Sequence, residues 1–166
     1  MSKIQIREGL YETNSSSVHA MSVYTKPKEE YTVPEKIDIN LADYEFGWEN
    51  ETYNDVDSKV AYISLLARSR TEDEQDNPLL KQIKALLLAA GVKEVNIYTK
   101  ESSSWLDGYV DHSYDKFVFL VILLEKPDLF DAFIFNPQSY VETGNDNDDY
   151  TPSPEHDADF AYCGEN

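Results

Sequence analysis

The spacing of apolar residues changes along this chain, and that change limits the folds open to it. Ile4 and Ile6 alternate with polar neighbours, the pattern of a strand with one buried face. Val18 to Thr25 repeats the pattern, with Val18, Ala20 and Ser22 on one face and His19, Met21 and Val23 on the other. Residues 12–17, Glu-Thr-Asn-Ser-Ser-Ser, are all small or polar, so a hairpin is expected with Ser15–Ser17 near its turn. Ile37, Ile39 and Leu41 alternate once more and predict a short strand.

The period then lengthens. Val56, Val60, Ile63, Leu66 and Ala67 recur at helical spacing and predict a helix from about Asp55 to Ser69. Pro78 suits a helix start and Gly91 a C-terminal cap, which brackets a second helix carrying Leu79, Leu80, Ile83, Leu86, Leu87 and Ala90. Val95 to Thr99 reads as a strand, and residues 100–113 as a polar loop. The apolar run from Lys116 to Leu124 fits a buried strand or a buried helix. Its continuation into Glu125-Lys126, with Ser113 as N-cap, favours the helix. Pro127 starts another helix through Phe135, and Gln138 to Thr143 is a last strand ended by Gly144-Asn145-Asp146-Asn147.

Strands and helices therefore mix without strict alternation. The expected class is α+β: a mixed or antiparallel sheet with an N-terminal hairpin, packed by three or four helices. Residues 1–147 are expected to form one domain and 148–166 an acidic tail rich in Pro, Asp, Ser and Glu. A chain of 166 residues buries about 70% of its unfolded surface without staples.

Charge narrows the partners. The formal net charge is −18, and it is unevenly placed. Asp38, Asp43, Glu45, Glu49, Glu51, Asp55 and Asp57 fall in one stretch without Lys or Arg. After Lys126 there are ten acids and no base. Such a field repels nucleic acid and anionic membrane and attracts basic protein surfaces. Acidity also serves solubility alone in many proteins. The single cysteine, Cys163, allows neither an internal disulfide nor a Cys-based zinc site, which points to a reducing compartment. The opening residues lack a secretory signal and the longest apolar run has eight residues, so a cytoplasmic location and no membrane span are expected.

Three polar clusters carry residue types used in chemistry. Asn14, Ser15, Ser17 and His19 would bind phosphate or supply a nucleophile and base, since strand alternation puts Ser17 and His19 on one face. The same residues also make an ordinary turn whose side chains bond their own backbone, and no G-x-S-x-G elbow is present. Asp111-His112 would orient a general base or ligate a metal, or else cap a helix. Gly144-Asn145-Asp146-Asn147-Asp148-Asp149 is rich in the oxygen ligands of Ca²⁺ and Mg²⁺ but lacks the EF-hand pattern, so no cofactor is assigned.

The segment Gly9-Leu10-Tyr11-Glu12-Thr13-Asn14-Ser15-Ser16-Ser17-Val18-His19 resembles the N-terminal signature of a family of uncharacterised proteins from phages, prophages and other mobile elements of Gram-positive bacteria. That signature reads Phe-Glu-Thr-Asn-Ser-Ser-Ser-Thr-His, and Tyr11 and Val18 depart from it here. Tyr44-Glu45-Phe46-Gly47-Trp48-Glu49, Gly108-Tyr109-Val110-Asp111-His112, and Phe133-Ile134-Phe135-Asn136 with Gly144-Asn145-Asp146-Asn147 are similar to later parts of the pattern. The resemblance implies origin in a mobile element and a fold sharing these polar segments. It assigns no catalytic role.

Two functional expectations follow. One is an acidic binding protein that blocks a basic, nucleic-acid-handling host protein, as anti-CRISPR and other DNA-mimic inhibitors do. It would use Asp43, Glu45, Glu49, Glu51, Asp55 and Asp57, with Tyr44, Phe46 and Trp48 as anchors. The other is an enzyme acting on a nucleotide or phosphoester, with Asn14, Ser15, Ser17, His19, Asp111, His112, Asn145 and Asp146 in one pocket.

Overall fold

Strand β1 (Lys3–Glu8) and strand β2 (Ser17–Tyr24) pair antiparallel, with Lys3 opposite Tyr24 and Glu8 opposite His19. The N-terminal hairpin pairing expected from alternation is present. The computed structural model describes residues 3–8, 17–47, 49–68, 76–100, 108–110 and 117–145. Strand β3 (Lys36–Asn40) follows a 3-10 turn, Lys28–Glu30, and leads into a second one, Leu41–Asp43. Two short strands come next, β4 (Glu45–Phe46) and β5 (Glu51–Tyr53).

Helix α1 (Val56–Arg68) is buried along almost its whole length, including Val60, Ala61, Tyr62, Ile63, Leu65 and Leu66. A helix covered on all sides belongs at the centre of a fold, and α1 packs against helices on several sides as well as β3. Asp55 starts it, its carboxylate accepting from Ser58 N at 2.8 Å. Helix α2 (Pro78–Ala90) runs between the predicted Pro and Gly. Gly91 adopts φ 119°, and the Gly91 and Val92 amides return to Leu88 O and Leu87 O, the Schellman arrangement.

Strand β6 (Glu94–Tyr98) pairs parallel with β3, Ile37 opposite Val95 and Ile39 opposite Ile97. Strand β7 (Tyr109–Val110) pairs parallel with β4. The ambiguous apolar run is helix α3 (Phe117–Glu125), and helix α4 (Pro127–Phe135) follows at once. Phe119 of α3 meets Phe133 of α4 edge to face at 5.1 Å. Strand β8 (Tyr140–Asn145) inserts between β2 and β5, giving an antiparallel sheet of order β1-β2-β8-β5.

The class is α+β, as expected. One reading is corrected. Gly144 and Asn145 do not end the last strand but lie within β8, opposite Val18 and Ser17; ladder pairing overrides their turn propensity. The acidic aromatic stretch and the residues just after it contribute β4 and β5 to two sheets, elements the sequence reading did not place. Strands of two and three residues are too short to show a period.

Candidate protein-binding face

The acids of the 38–57 stretch all reach the surface: Asp38, Asp43, Glu45, Glu49, Glu51, Asp55 and Asp57 are exposed. The reason is local. β4 alternates Glu45 out and Phe46 in, Asp55 precedes α1, and Asp57 is an exposed residue of its first turn. Lys59, the next base along the chain, turns the other way. It is fully buried, donating to Asn136 O at 2.9 Å and Ser139 O at 3.1 Å.

The aromatic residues of the stretch divide. Phe46 is buried, stacked on Tyr44 and edge-on to Tyr53 at 4.9 Å and Tyr62 at 5.0 Å. It is therefore a core residue, and the expectation that it anchors a partner is corrected: a side chain with no accessible surface offers none. Tyr44 and Tyr53 are half-buried on either side of it. Trp48 lies outside the described residues.

Phenols and carboxylates share one neighbourhood. Burial raises the Tyr44 hydroxyl above its ordinary pKa, and the charges of Asp57, Asp55 and Asp43 raise it further. Burial raises Tyr53 too, helped by its hydrogen bond to Glu51 at 2.5 Å. Asp57 is raised by burial and then by Asp55. Tyr98, 45% exposed at the end of β6, is raised chiefly by the charge of Asp38, with Asp43 adding to it. Overlapping fields thus link Asp38, Asp43, Asp55 and Asp57 through Tyr98 and Tyr44, while Glu49 and Glu51 flank Tyr53. Carboxylates beside phenol rings complement Arg and Lys through charge-assisted hydrogen bonds and ring contacts. Sequence reasoning missed Tyr53 and Tyr98. Tyr53 sits beside Glu51 and Glu49 of its own stretch, whereas the placement of Tyr98 beside Asp38 and Asp43 is a tertiary property.

The polar clusters have a different setting. His19 is fully buried, its Nε2 3.0 Å from Gly47 O and its Nδ1 3.1 Å from the Tyr62 hydroxyl. A carbonyl only accepts, so Nε2 carries the proton and Tyr62 donates to Nδ1 in the neutral ring. An enclosed imidazole with both nitrogens engaged does not reach a substrate proton, which corrects its candidacy as a general base. Ser17 stands opposite Asn145 in the β2–β8 register, so one described residue of the first cluster and one of the third share a ladder position. Asn14, Ser15, Asp111, His112 and Asp146 lie outside the described residues. Among the described residues no group of three or more His, Cys, Asp or Glu is placed to hold a metal ion, and no helix is long and apolar enough to cross a membrane.

An open groove lies between α2 and β6, lined by Leu80, Lys84, Val95, Ile97 and Tyr98 among others, with Asp38 on one side. Its walls carry both signs of charge. Comparison with protein-family models, curated proteins and solved structures finds no match.

Proposed function

We propose that this chain is an acidic, phage-type binding protein that blocks a basic, nucleic-acid-handling host protein, in the manner of anti-CRISPR and other DNA-mimic inhibitors. One observation carries the reading. The carboxylates from Asp38 to Asp57 are exposed around half-buried or exposed tyrosines, and the following lysine is withdrawn into the core. Carboxylates then stand in for phosphates in a basic groove, steering association and fixing register. Tyr44, Tyr53 and Tyr98 supply the apolar contact that a charged rim alone lacks. The resemblance to mobile-element proteins fits an anti-host role.

The test is capture from a Gram-positive host lysate at low and high salt. The wild-type chain is expected to retain an identified nucleic-acid-binding protein at low salt, release it at high salt, and compete with DNA for it. The combined Asp43→Asn, Glu45→Gln, Glu49→Gln, Glu51→Gln variant is expected to lose both properties. Equal capture and competition by that variant would overturn the reading and leave acidity as a matter of solubility.

A further inference from the structure

The polar signature segments need a purpose once His19 is removed from catalysis. Their described residues converge on the backbone that carries the acids. The Tyr109 amide donates to Tyr44 O at 3.2 Å. The His19 ring donates to Gly47 O at 3.0 Å. The Thr143 hydroxyl, one residue before Gly144-Asn145, donates to Glu49 O at 2.6 Å. Thr143 also bears on the Tyr53 phenol and stands opposite Glu51 in the β5–β8 ladder. Tyr109 packs so closely on Gly47 that a methyl group there would sit 3.1 Å from its hydroxyl.

We propose that His19 and Thr143 are positioning residues that fasten residues 44–47 and 49–51 to the sheet and preorganise their carboxylates for a cationic partner. The gain is entropic. A stretch whose described strands have two and three residues has little ladder of its own, and without side-chain ties its carbonyls at Gly47 and Glu49 would sample many arrangements. Two donors from β2 and β8 select one arrangement before binding, so the partner does not have to order the segment itself. His19 and Thr143 are register partners on adjacent strands, which makes them one fastening across two carbonyls. The signature is then a structural latch beneath the binding face. The inference rests on the binding reading above.

The test uses the full chain, poly-L-arginine as the cationic probe, and amide hydrogen exchange as a readout independent of any partner. Thr143→Val keeps the shape and removes the donor; Thr143→Ser keeps the donor. Thr143→Val is expected to speed exchange across 47–51 and to weaken poly-arginine binding by roughly tenfold, the effect of one charge-free hydrogen bond at the upper end. Thr143→Ser is expected to restore both. Asn77→Ala, which loosens the α1–α2 joint and leaves the His19 and Thr143 ties in place, separates fastening from general stability and is expected to leave affinity unchanged. If Thr143→Val does not fold, His19→Gln against His19→Leu tests the other tie, with Gln retaining an N–H near Nε2. Unchanged exchange, unchanged affinity, or an equal loss in Asn77→Ala overturns the latch. Wild-type-like poly-arginine binding by the four-carboxylate variant instead overturns the binding reading beneath it.

Discussion

Gly108 and Lys59 show how much can hang on one residue. Gly108 has φ 71°, and a Cβ there would lie 2.0 Å from Leu41 O. Its carbonyl also accepts from Arg68 at the end of α1. Neither the left-handed backbone nor the contact tolerates a side chain, because the obstacle is backbone. Gly108→Ala is expected to lose about 3 kcal/mol or more in urea unfolding. Lys59 acts through pH. Burial lowers its ammonium to about 8, while the unfolded value is near 10.5. Below pH 8 both states are charged and the folded state bears the full cost of burial. Between about 8 and 10.5 the folded amine is neutral while the unfolded one still holds its proton, so stability rises with pH. The total is on the order of 3 kcal/mol. A neutral amine keeps two N–H donors for Asn136 O and Ser139 O, so no bond is forfeited. Above pH 10 the raised phenols of Tyr44, Tyr53 and Tyr98 reverse the slope, because the unfolded chain loses those protons first. Urea unfolding across pH 7–10 checks this, and Lys59→Met is expected to flatten the rise.

At the scale of elements, the joints matter more than the helices themselves. Asn77 is buried between two of them. Its Oδ1 accepts from Leu79 N and Leu80 N at the start of α2, and its Nδ2 donates to Ala67 O near the end of α1. One amide therefore satisfies orphan groups on both helices. Asn77→Ala is expected to cost about 2–3 kcal/mol, combining a lost cap with a stranded carbonyl. Asn77→Asp keeps the cap but turns a carboxylate toward Ala67 O, and should be no better than Ala in a thermal melt. A second joint closes α4: Asn136 donates to Tyr24 O at 2.6 Å and Ser139 to Ala132 O at 2.8 Å, tying the helix to β2.

For the whole molecule, the −18 charge is a standing repulsion that screening should relieve. Raising salt well above physiological strength is expected to add about 1 kcal/mol, or roughly 3 °C in Tm for a chain of this size. The four-carboxylate variant should start higher and gain less. The same salt should weaken partner binding. Folding and binding thus respond to salt with opposite signs, and calorimetry of each separates them.

What the sequence determined by itself was the set of long elements. Local chemistry decides these: Pro78 and Gly91 bracket α2 because one lacks an N–H and the other a Cβ, and Pro127 starts α4 for the first of those reasons. The exposed placement of the acids was legible for a related reason, since unpaired carboxylates stay in water. Tertiary structure alone decided the rest. Phe46 became core because Tyr53 and Tyr62 close over it from other segments. His19 looked like a base beside Ser17 until Gly47 and Tyr62 enclosed it. Thr143 carried no signal, because its partner is a backbone carbonyl 94 positions away. Period and propensity report on neighbours along the chain; a latch between distant strands is written only in the contacts that folding makes.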